Sequence, residues 1–228
     1  MIDNNKQQEL LEYLSDYISE HKRNRMEEVL EQRTRHVTVV LEDIYKPHNA
    51  SAVLRTCDCF GVQDIHIVEQ RNTYDVNRYV TRGSAKWLSL HKYDHPNHDN
   101  IEICFNKLKK EGYKLYATSP IGVLKPNEIP VDEKIALVFG TEESGITDYA
   151  KENVDGLVSI PMYGFTESLN ISVATGIVLD AVVDKIKGKG ADWKLDKEEM
   201  SKLKLEWYQS TIKHSEPLIK NFLKMNSK

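Results

Sequence analysis

The spacing of apolar residues divides the chain into three parts. Over residues 6–32 apolar residues recur every three or four positions between charged residues, which predicts amphipathic helices. Over 36–187 short β-branched runs alternate with helical patterns. Over 196–225 the pattern predicts one or two polar helices, interrupted near Pro217. We therefore expect an N-terminal helical extension (1–35), a central domain (36–187) and a C-terminal helical extension (188–228).

Six apolar runs in the central domain have the length and composition of buried strands, and helical patterns separate most of them. Such alternation predicts an α/β fold with a mostly parallel sheet and helices on both faces. The predicted strands span 36–41, 62–68, 87–91, 113–118, 135–139 and 156–160.

The helix after the first strand has a continuous apolar stripe. Asn49 is expected to cap this helix, which should run to Phe60 and end at Gly61. Arg55 lies off the stripe, so its side chain should project near the carboxyl ends of the strands, where open α/β sheets bind ligands. An ordinary solvated arginine is the alternative. The stripe comprises Ala50, Val53, Leu54 and Cys57.

A polar segment precedes a long apolar helix within residues 157–179. Ser168 and Asn170 both fit the N-cap position, which would direct backbone N–H groups of the helix into the preceding loop. Such donors predict a pocket for a polar ligand. An ordinary capped connection fits this segment equally well.

The glycine loops exclude two common nucleotide sites. Gly140 and Gly145 have the spacing of a P-loop, but Ile146 stands where that motif requires lysine. No G-x-G-x-x-G sequence follows the first strand, so a dinucleotide site is unsupported. The remaining candidates are the three loops that follow Thr118, Gly140 and Ile160.

Composition limits the compartment and the chemistry. The 228 residues are 40% hydrophobic and 29% charged, contain no apolar run of membrane-spanning length and begin without a secretory signal. We therefore expect a cytoplasmic protein with no membrane segment.

The three cysteines are expected to be reduced, buried thiols. His91, His95 and His98 flank Pro96 without companion cysteines, so no metal site is predicted.

Charge is unevenly distributed around a net value of −4. Four basic residues oppose one acid between Gln70 and Lys86, and ten lysines oppose six acids from Ile186 onward. Both regions are candidates for contact with an RNA backbone, with solvated surface as the alternative. The basic residues of the first region are Arg71, Arg78, Arg82 and Lys86.

Three segments resemble the three motifs of the SpoU/TrmH branch of the SPOUT methyltransferases, which methylate ribose 2′-hydroxyls of RNA. They are NASAVLRTCDCFGV (49–62), LVFGTEESGIT (137–147) and IPMYGFTESLNISVATG (160–176). The resemblance covers about residues 37–184, and the helical extensions look like those of the tRNA guanosine(18) 2′-O-methyltransferases. It implies S-adenosylmethionine-dependent methylation of a tRNA ribose, at guanosine 18 of the D-loop.

The resemblance also implies an architecture. In this SPOUT fold the C-terminal part of the domain threads into a deep trefoil knot, and the protein is a homodimer with its active site at the subunit interface. The three loops would hold S-adenosylmethionine in a bent conformation. The residues that match the family's cofactor contacts are Thr118, Gly140, Ile160, Met162, Ser168 and Leu169.

Catalytic positions of the family are matched as well. Arg55 corresponds to the arginine required for catalysis, either as general base or as a group that stabilises the developing alkoxide and binds the adjacent phosphate. The implied reaction is an in-line attack of the ribose oxygen on the sulfonium methyl group, without a metal or a covalent intermediate. The polar residues expected to order Arg55, the ribose and the loops are Asn49, Glu142, Ser168 and Asn170.

Two alternative functions stay open at this point. The same enzyme class could act on rRNA, although the roughly 35 residues before the first strand are too few for the extra RNA-binding domain of many rRNA members. The other alternative is a non-catalytic RNA-binding protein of the same fold. The matched set of polar motif residues argues against it: Asn49, Arg55, Glu142, Ser168 and Asn170.

Overall fold

The computed structural model describes residues 4–44, 46–70, 83–189 and 192–225. Contacts group them into two units: a helical unit, formed by the chain up to Arg33 and from Lys194 onward, and an α/β unit, Thr34–Trp193. The described α-helices are α1 (Asn4–Ser15), α2 (Glu20–Leu30), α3 (Pro47–Cys59), α4 (Asn100–Lys110), α5 (Asp148–Asn153), α6 (Ile171–Gly188), α7 (Lys197–Thr211) and α8 (Ser215–Met225). The strands are β1 (Val37–Glu42), β2 (Asp64–Val68), β3 (Ser89–Tyr93), β4 (Tyr113–Thr118), β5 (Lys134–Phe139) and β6 (Gly156–Val158).

The helical unit is built from α1, α2, α7 and α8, with α1 in contact with both α7 and α8. Its centre contains Trp207, whose ring lies 5.4 Å from the guanidinium carbon of the buried Arg33. The interruption expected near Pro217 lies at 212–214, where His214 has a φ of 60°. Pro217 itself lies in the first turn of α8, where its missing N–H removes no intrahelical hydrogen bond.

The α/β unit contains one six-stranded sheet, and every described strand pair in it is parallel. The strand order is β3-β2-β1-β5-β4-β6. Leu41 pairs with both Ile67 of β2 and Phe139 of β5, so the central strands end at one edge of the sheet. The order reverses between β1 and β5, the kind of position at which open α/β sheets bind ligands. The predicted parallel α/β sheet is confirmed.

Helices cover both faces of this sheet, as predicted. Val39 and Leu137 point to the face that is covered by α3 and α6. Their chain neighbours Val40 and Val138 point to the other face, which α4 and α5 cover. The division follows from the period of two along a strand, which sends successive side chains to opposite faces.

The start of α3 differs from the prediction. This helix begins at Pro47 with Lys46 at the N-cap, so Asn49 lies in the first turn and is not the cap. Proline favours this start because its fixed φ suits the first helical position. The predicted end is close to the observed one, since Gly61 has a φ of 77° just beyond the helix.

Other local predictions also need correction. Ser168 does not cap α6, because Asn170 holds that position and accepts the hydrogen bond from Ser172 N–H. The third strand begins at Ser89 and not at Trp87, because 84–87 form a turn of 3₁₀ helix. The expectation of three buried thiols is wrong for one of them.

The cysteines are all free thiols, but only Cys57 and Cys104 are buried, whereas Cys59 is exposed. Two residues correspond to about 200° around a helix, so Cys59 faces away from the apolar stripe that contains Cys57.

The loop after β4 packs directly on β6. Ser119 N–H donates to Val158 O at 2.9 Å, and Leu124 exchanges backbone hydrogen bonds with Leu157 O and Ser159 N–H. A Cβ on Gly122 would lie 2.5 Å from the Val158 carbonyl carbon, so only glycine fits there. The loop therefore covers the side of β6 that faces away from β4. The threading of a trefoil knot stays a prediction.

Two absences concern the described ranges alone. Within them, no helix has both the length and the apolarity required to cross a membrane. The same residues contain no group of three or more histidine, cysteine, aspartate or glutamate side chains arranged to hold a metal ion.

Candidate active site

A cavity of about 420 Å³ lies at the carboxyl ends of β4, β5 and β6. Its walls are the loops that follow these strands and the first turn of α6. Parallel strands end at the same edge of a sheet, which is why loops far apart in sequence meet here. All six residues that were predicted to contact the cofactor line this cavity: Thr118, Gly140, Ile160, Met162, Ser168 and Leu169.

Sequence reasoning missed several polar residues of the same wall. They lie next to the motif residues in the three loops, and this adjacency in the sequence could have identified them as cavity residues. Their side chains are short hydroxyls and carboxylates, which can accept or donate hydrogen bonds to a polar ligand. They are Ser119, Thr141, Glu143, Ser144 and Glu167.

The loop that follows β5, residues 140–147, is closed on itself and is called the Gly140 loop below. Thr141 N–H donates to Gly145 O at 2.9 Å, and Gly145 N–H donates back to Thr141 O at 3.0 Å. Ser144 N–H donates to the Thr141 hydroxyl at 3.0 Å. A Cβ on Gly140 would lie 2.2 Å from the Gly145 carbonyl, so the close approach requires glycine. The loop thereby presents Glu142 at its tip.

Four side chains from three segments form a group that we call the Glu142 cluster: Lys46, Asn49, Glu142 and Asn170. Asn170 Nδ2 donates to Glu142 Oε1 at 2.8 Å and to Asn49 Oδ1 at 3.2 Å. Lys46 Nζ lies 3.3 Å from Glu142 Oε2, and its side chain is 58% exposed. Because Asn49 is not the cap of α3, its amide is free to join this cluster. The cluster connects all three sequence motifs.

Asn170 combines a capping role with this contact. Its Oδ1 accepts hydrogen bonds from Ser172 N–H at 2.9 Å and from the Ser172 hydroxyl at 2.7 Å, which caps α6. Since Oδ1 is held by the helix, Nδ2 points to Glu142 and Asn49. One residue thus fixes the start of α6 relative to the Gly140 loop.

Arg55 is exposed on α3 and does not line the cavity. It lies six residues beyond Asn49, about 9 Å along the helix axis. Among the residues that the structure describes, the Arg55 guanidinium has no hydrogen-bond or ion-pair partner. It is therefore available to a ligand, and the described part of the chain does not bring it together with the predicted cofactor residues.

The predicted RNA-binding residues are only partly described. Arg71, Arg78 and Arg82 lie outside the described residues. Lys86 is described, and its ammonium group lies 4.1 Å from the centroid of the Trp87 ring, a cation–π contact.

Apolar side chains are exposed on the elements that form the cavity. Tyr163 and Phe165 of the loop after β6 are almost fully exposed. Two further pairs are exposed as well, Ile121 and Val123 in the loop after β4 and Val173 and Ile177 on α6. Exposed apolar side chains on three neighbouring elements are unusual for a monomer and are typical of an interaction surface.

Comparison with protein families gives one match over the α/β unit. The model described as the SpoU rRNA Methylase family matches residues 36–180. The chain is 38% identical over 206 residues to the tRNA (guanosine(18)-2'-O)-methyltransferase of Borreliella burgdorferi, covering 88% of this chain and 90% of that protein.

Solved structures give the same fold. The TrmH/SpoU tRNA modifying enzyme of Aquifex aeolicus superposes with a TM-score of 0.75 at 31% identity, covering 85% of this chain and 98% of that one. The SpoU methyltransferase AviRb of Streptomyces viridochromogenes, solved with AdoMet, superposes with a TM-score of 0.59 at 21% identity over 69% and 60% of the two chains. At that identity the likeness concerns the fold alone.

Proposed function

Because the chain belongs to the SpoU rRNA Methylase family, we propose that it transfers a methyl group from S-adenosylmethionine to the 2′-hydroxyl of guanosine 18 in tRNA. The observation that carries this proposal is the meeting of six predicted cofactor residues in one cavity whose wall includes Glu142. The relative from Borreliella burgdorferi is named for this reaction and covers nearly the whole chain.

The residues of the cavity fit S-adenosylmethionine. Backbone groups of the Gly140 loop and short hydroxyls suit a polar amino acid and ribose, and Ile160, Met162 and Leu169 suit an adenine ring. The volume of about 420 Å³ lies in the usual range for a small-ligand site. The bound cofactor supplies an electrophilic methyl group on its sulfonium sulfur.

The chain's own groups bind and align the ribose. We assign Arg55 to the adjacent phosphate and to the developing alkoxide, because a guanidinium hardly deprotonates and is a poor general base. The proton released by the 2′-hydroxyl then passes to solvent water. Ser168, at the cavity wall, and the Glu142 cluster orient the ribose and hold the loops. Alignment of the attacking oxygen with the methyl group supplies much of the rate.

We propose that the working form is a homodimer with the active site at the subunit interface. Arg55 does not line the cavity of its own protomer, and the exposed apolar residues on α6 and the two neighbouring loops fit contact with a second copy. Sedimentation of the wild-type protein should give the dimer mass. The double variant Val173→Glu/Ile177→Glu should give the monomer mass; a monomeric wild type contradicts this part of the proposal.

The basic residues Arg71, Arg78, Arg82 and Lys86 remain our candidates for the tRNA backbone. If they neutralise phosphates, tRNA affinity falls as salt rises, with a slope that decreases by roughly one for each residue replaced by alanine.

The proposal is tested by methyl transfer from labelled S-adenosylmethionine to unmodified tRNA and to rRNA fragments, followed by mapping of 2′-O-methyl sites. We expect label at guanosine 18 of the tRNA D-loop. Label on rRNA alone would keep the chemistry and overturn the substrate. Cofactor binding without transfer to either RNA would favour the non-catalytic alternative.

A further inference from the structure

Glu42 is a buried carboxylate outside the three motifs, and it holds the end of the Gly140 loop. It is the last residue of β1 and is only 2% exposed. Its Oε1 accepts a 2.6 Å hydrogen bond from the Thr147 hydroxyl, and its Oε2 accepts a 3.1 Å hydrogen bond from Thr147 N–H. Both carboxylate oxygens are thus used on a single residue of the loop.

Thr147 is both the end of the Gly140 loop and the N-cap of α5. Its hydroxyl donates to Glu42 and also accepts from Ala150 N–H at 3.2 Å. The other end of the loop follows β5, which pairs with β1 at Phe139 and Leu41. Both ends of the loop are therefore fixed on β1, the first by the sheet and the second by Glu42.

The chain turns directly after Glu42, and hydrogen bonds to the end of β2 hold this turn in place. Asp43 has a φ of 54°, a conformation that non-glycine residues seldom adopt. Its N–H donates to Val68 O at 2.8 Å, and its Oδ1 accepts from Gln70 N–H at 3.0 Å. These contacts to the end of β2 hold the turn, so the Glu42 carboxylate is preorganised for Thr147.

This arrangement costs stability. Among the described residues the Glu42 carboxylate has no cationic partner. Burial raises the pKa of Glu42 above its ordinary value, more than the Thr147 hydrogen bonds lower it. A neutral or apolar side chain would fill the same space without the desolvation of a carboxylate. Compared with such a side chain, the carboxylate provides two acceptor oxygens for the Thr147 hydroxyl and N–H.

We propose that Glu42 is a positioning residue for the methyl-donor cavity: through Thr147 it fixes the Gly140 loop, and with it Thr141 and Glu142. The internal hydrogen bonds of the loop make it move as one piece, so a shift at Thr147 displaces the cavity wall and the Glu142 cluster together. This inference rests on the proposed function, since it takes S-adenosylmethionine to be the ligand of the cavity.

The test compares variants of both partners with a matched control. Glu42→Gln leaves one acceptor oxygen for the two Thr147 donors, Thr147→Val removes the hydroxyl donor, and Thr147→Ser retains the hydroxyl. Thr38→Val is the control: Thr38 lies on the same strand, is fully buried and donates a 2.5 Å hydrogen bond to Asp64 O, but lies at the amino end of β1, away from the cavity. All variants are checked for folding by circular dichroism.

Calorimetric affinity for S-adenosylhomocysteine and hydrogen exchange of the loop amides are the two measurements. Glu42→Gln and Thr147→Val should weaken binding at least tenfold and speed exchange at Thr141 and Gly145. Thr147→Ser should recover most of the affinity, and Thr38→Val should stay within twofold of the wild type even where its melting temperature falls. If Glu42→Gln does not fold, the comparison of Thr147→Val with Thr147→Ser still decides the test.

The possible failures are distinguishable. Wild-type affinity and unchanged loop exchange in Glu42→Gln and Thr147→Val contradict this inference alone. An equal loss of affinity in Thr38→Val also contradicts it, because the effect would then be one of general stability. A wild-type protein that does not bind S-adenosylhomocysteine contradicts the proposed function, and this inference with it.

Discussion

Two polar groups of the α/β unit differ in how far their side chains are satisfied. The first is the Glu142 cluster. The second, called the Asp64 network, comprises Arg35, Asp64, His66, His91 and Tyr93. Asp64 accepts from Arg35 Nε at 2.7 Å through Oδ2 and lies 2.9 Å from His91 Nε2 through Oδ1. His66 stacks on the His91 ring at 4.7 Å and hydrogen-bonds Tyr93 OH at 2.9 Å.

The centre of the Asp64 network, formed by Asp64 and His66, is closed within the fold, whereas the Glu142 cluster is open to a ligand. Asp64 and His66 are 7% and 2% exposed, and both oxygens of Asp64 have partners. In the Glu142 cluster the side chain of Lys46 is 58% exposed, and Glu142 also faces the cavity. Polar groups that are buried and saturated stabilise a fold, and groups that are ordered but accessible can bind something else. The two groups should therefore respond to mutation in opposite ways.

The largest effect that we expect is on methyl transfer, from the exposed Arg55, which shares α3 with Asn49 of the Glu142 cluster. Arg55→Ala should lower methyl transfer at least 1,000-fold, about 4 kcal/mol of transition-state stabilisation, because it removes the proposed contact to the alkoxide and phosphate. Melting temperature and S-adenosylhomocysteine affinity should stay at wild-type values. Initial rates on unmodified tRNA give the measurement. Arg25→Ala, at an exposed arginine on α2, is the matched control, and normal turnover by Arg55→Ala would sink the assignment.

In the Asp64 network the expected effect of a substitution is on the stability of the fold. Burial alone would raise the pKa of Asp64, but the hydrogen bonds and charges of His91 and Arg35 bring it below the ordinary value. Asp64→Asn should therefore lower the free energy of unfolding by about 2 kcal/mol, because it leaves the half-buried Arg35 and His91 without their charged partner. Transfer per folded molecule should not change. Urea unfolding at pH 7 measures the difference, with the exposed Asp132→Asn as control; equal midpoints for the two variants would contradict the prediction.

The sequence predicts features that depend on local patterns better than it predicts contacts between residues that are far apart along the chain. Strand and helix order, and the meeting of the loops after Thr118 and Gly140, follow from local periodicity and from the rule that parallel strands end together. That Leu169 lines the cavity was implied only by the resemblance to the family's motifs. The start of α3 at Pro47 was missed because Asn49 is also a good cap residue. The Glu42–Thr147 contact and the Asp64 network have no periodic signal, because they depend on which strands become neighbours.

Asn170 offers a way to separate capping from contact with the open cluster. Asn170→Ala should cost about 1 kcal/mol of stability through the lost cap of α6 and should lower methyl transfer about tenfold through the lost contact to Glu142. Asn170→Ser retains a capping oxygen but lacks the amide donor. It should keep near wild-type stability and lose the same activity. A serine variant with full activity would show that the Glu142 contact is dispensable.

The last effect that we expect concerns pH and the Asp64 network. Burial, followed by the nearby His91, lowers the pKa of His66 to about 3, against 6.5 in the unfolded chain. Between these values the unfolded chain binds more protons, so this contribution to stability is complete above pH 6.5 and decreases as pH falls. Glu42 acts in the opposite direction, because its raised pKa makes the folded protein bind more protons as pH falls. A comparison of wild type with a His66 variant removes the Glu42 contribution.

His66→Asn, which stays neutral at every pH, should therefore flatten the stability profile. Between pH 6.5 and 4.5 the wild type should lose about 1 kcal/mol per pH unit relative to this variant. Asp64 contributes little there, since its lowered pKa places its loss below pH 3.8. Urea unfolding at half-unit steps of pH provides the profile, with the exposed His98→Asn as control. Parallel profiles for wild type and His66→Asn would mean that His66 is protonated in the folded protein, and the Asp64 network would then be open to water in the way that the Glu142 cluster is.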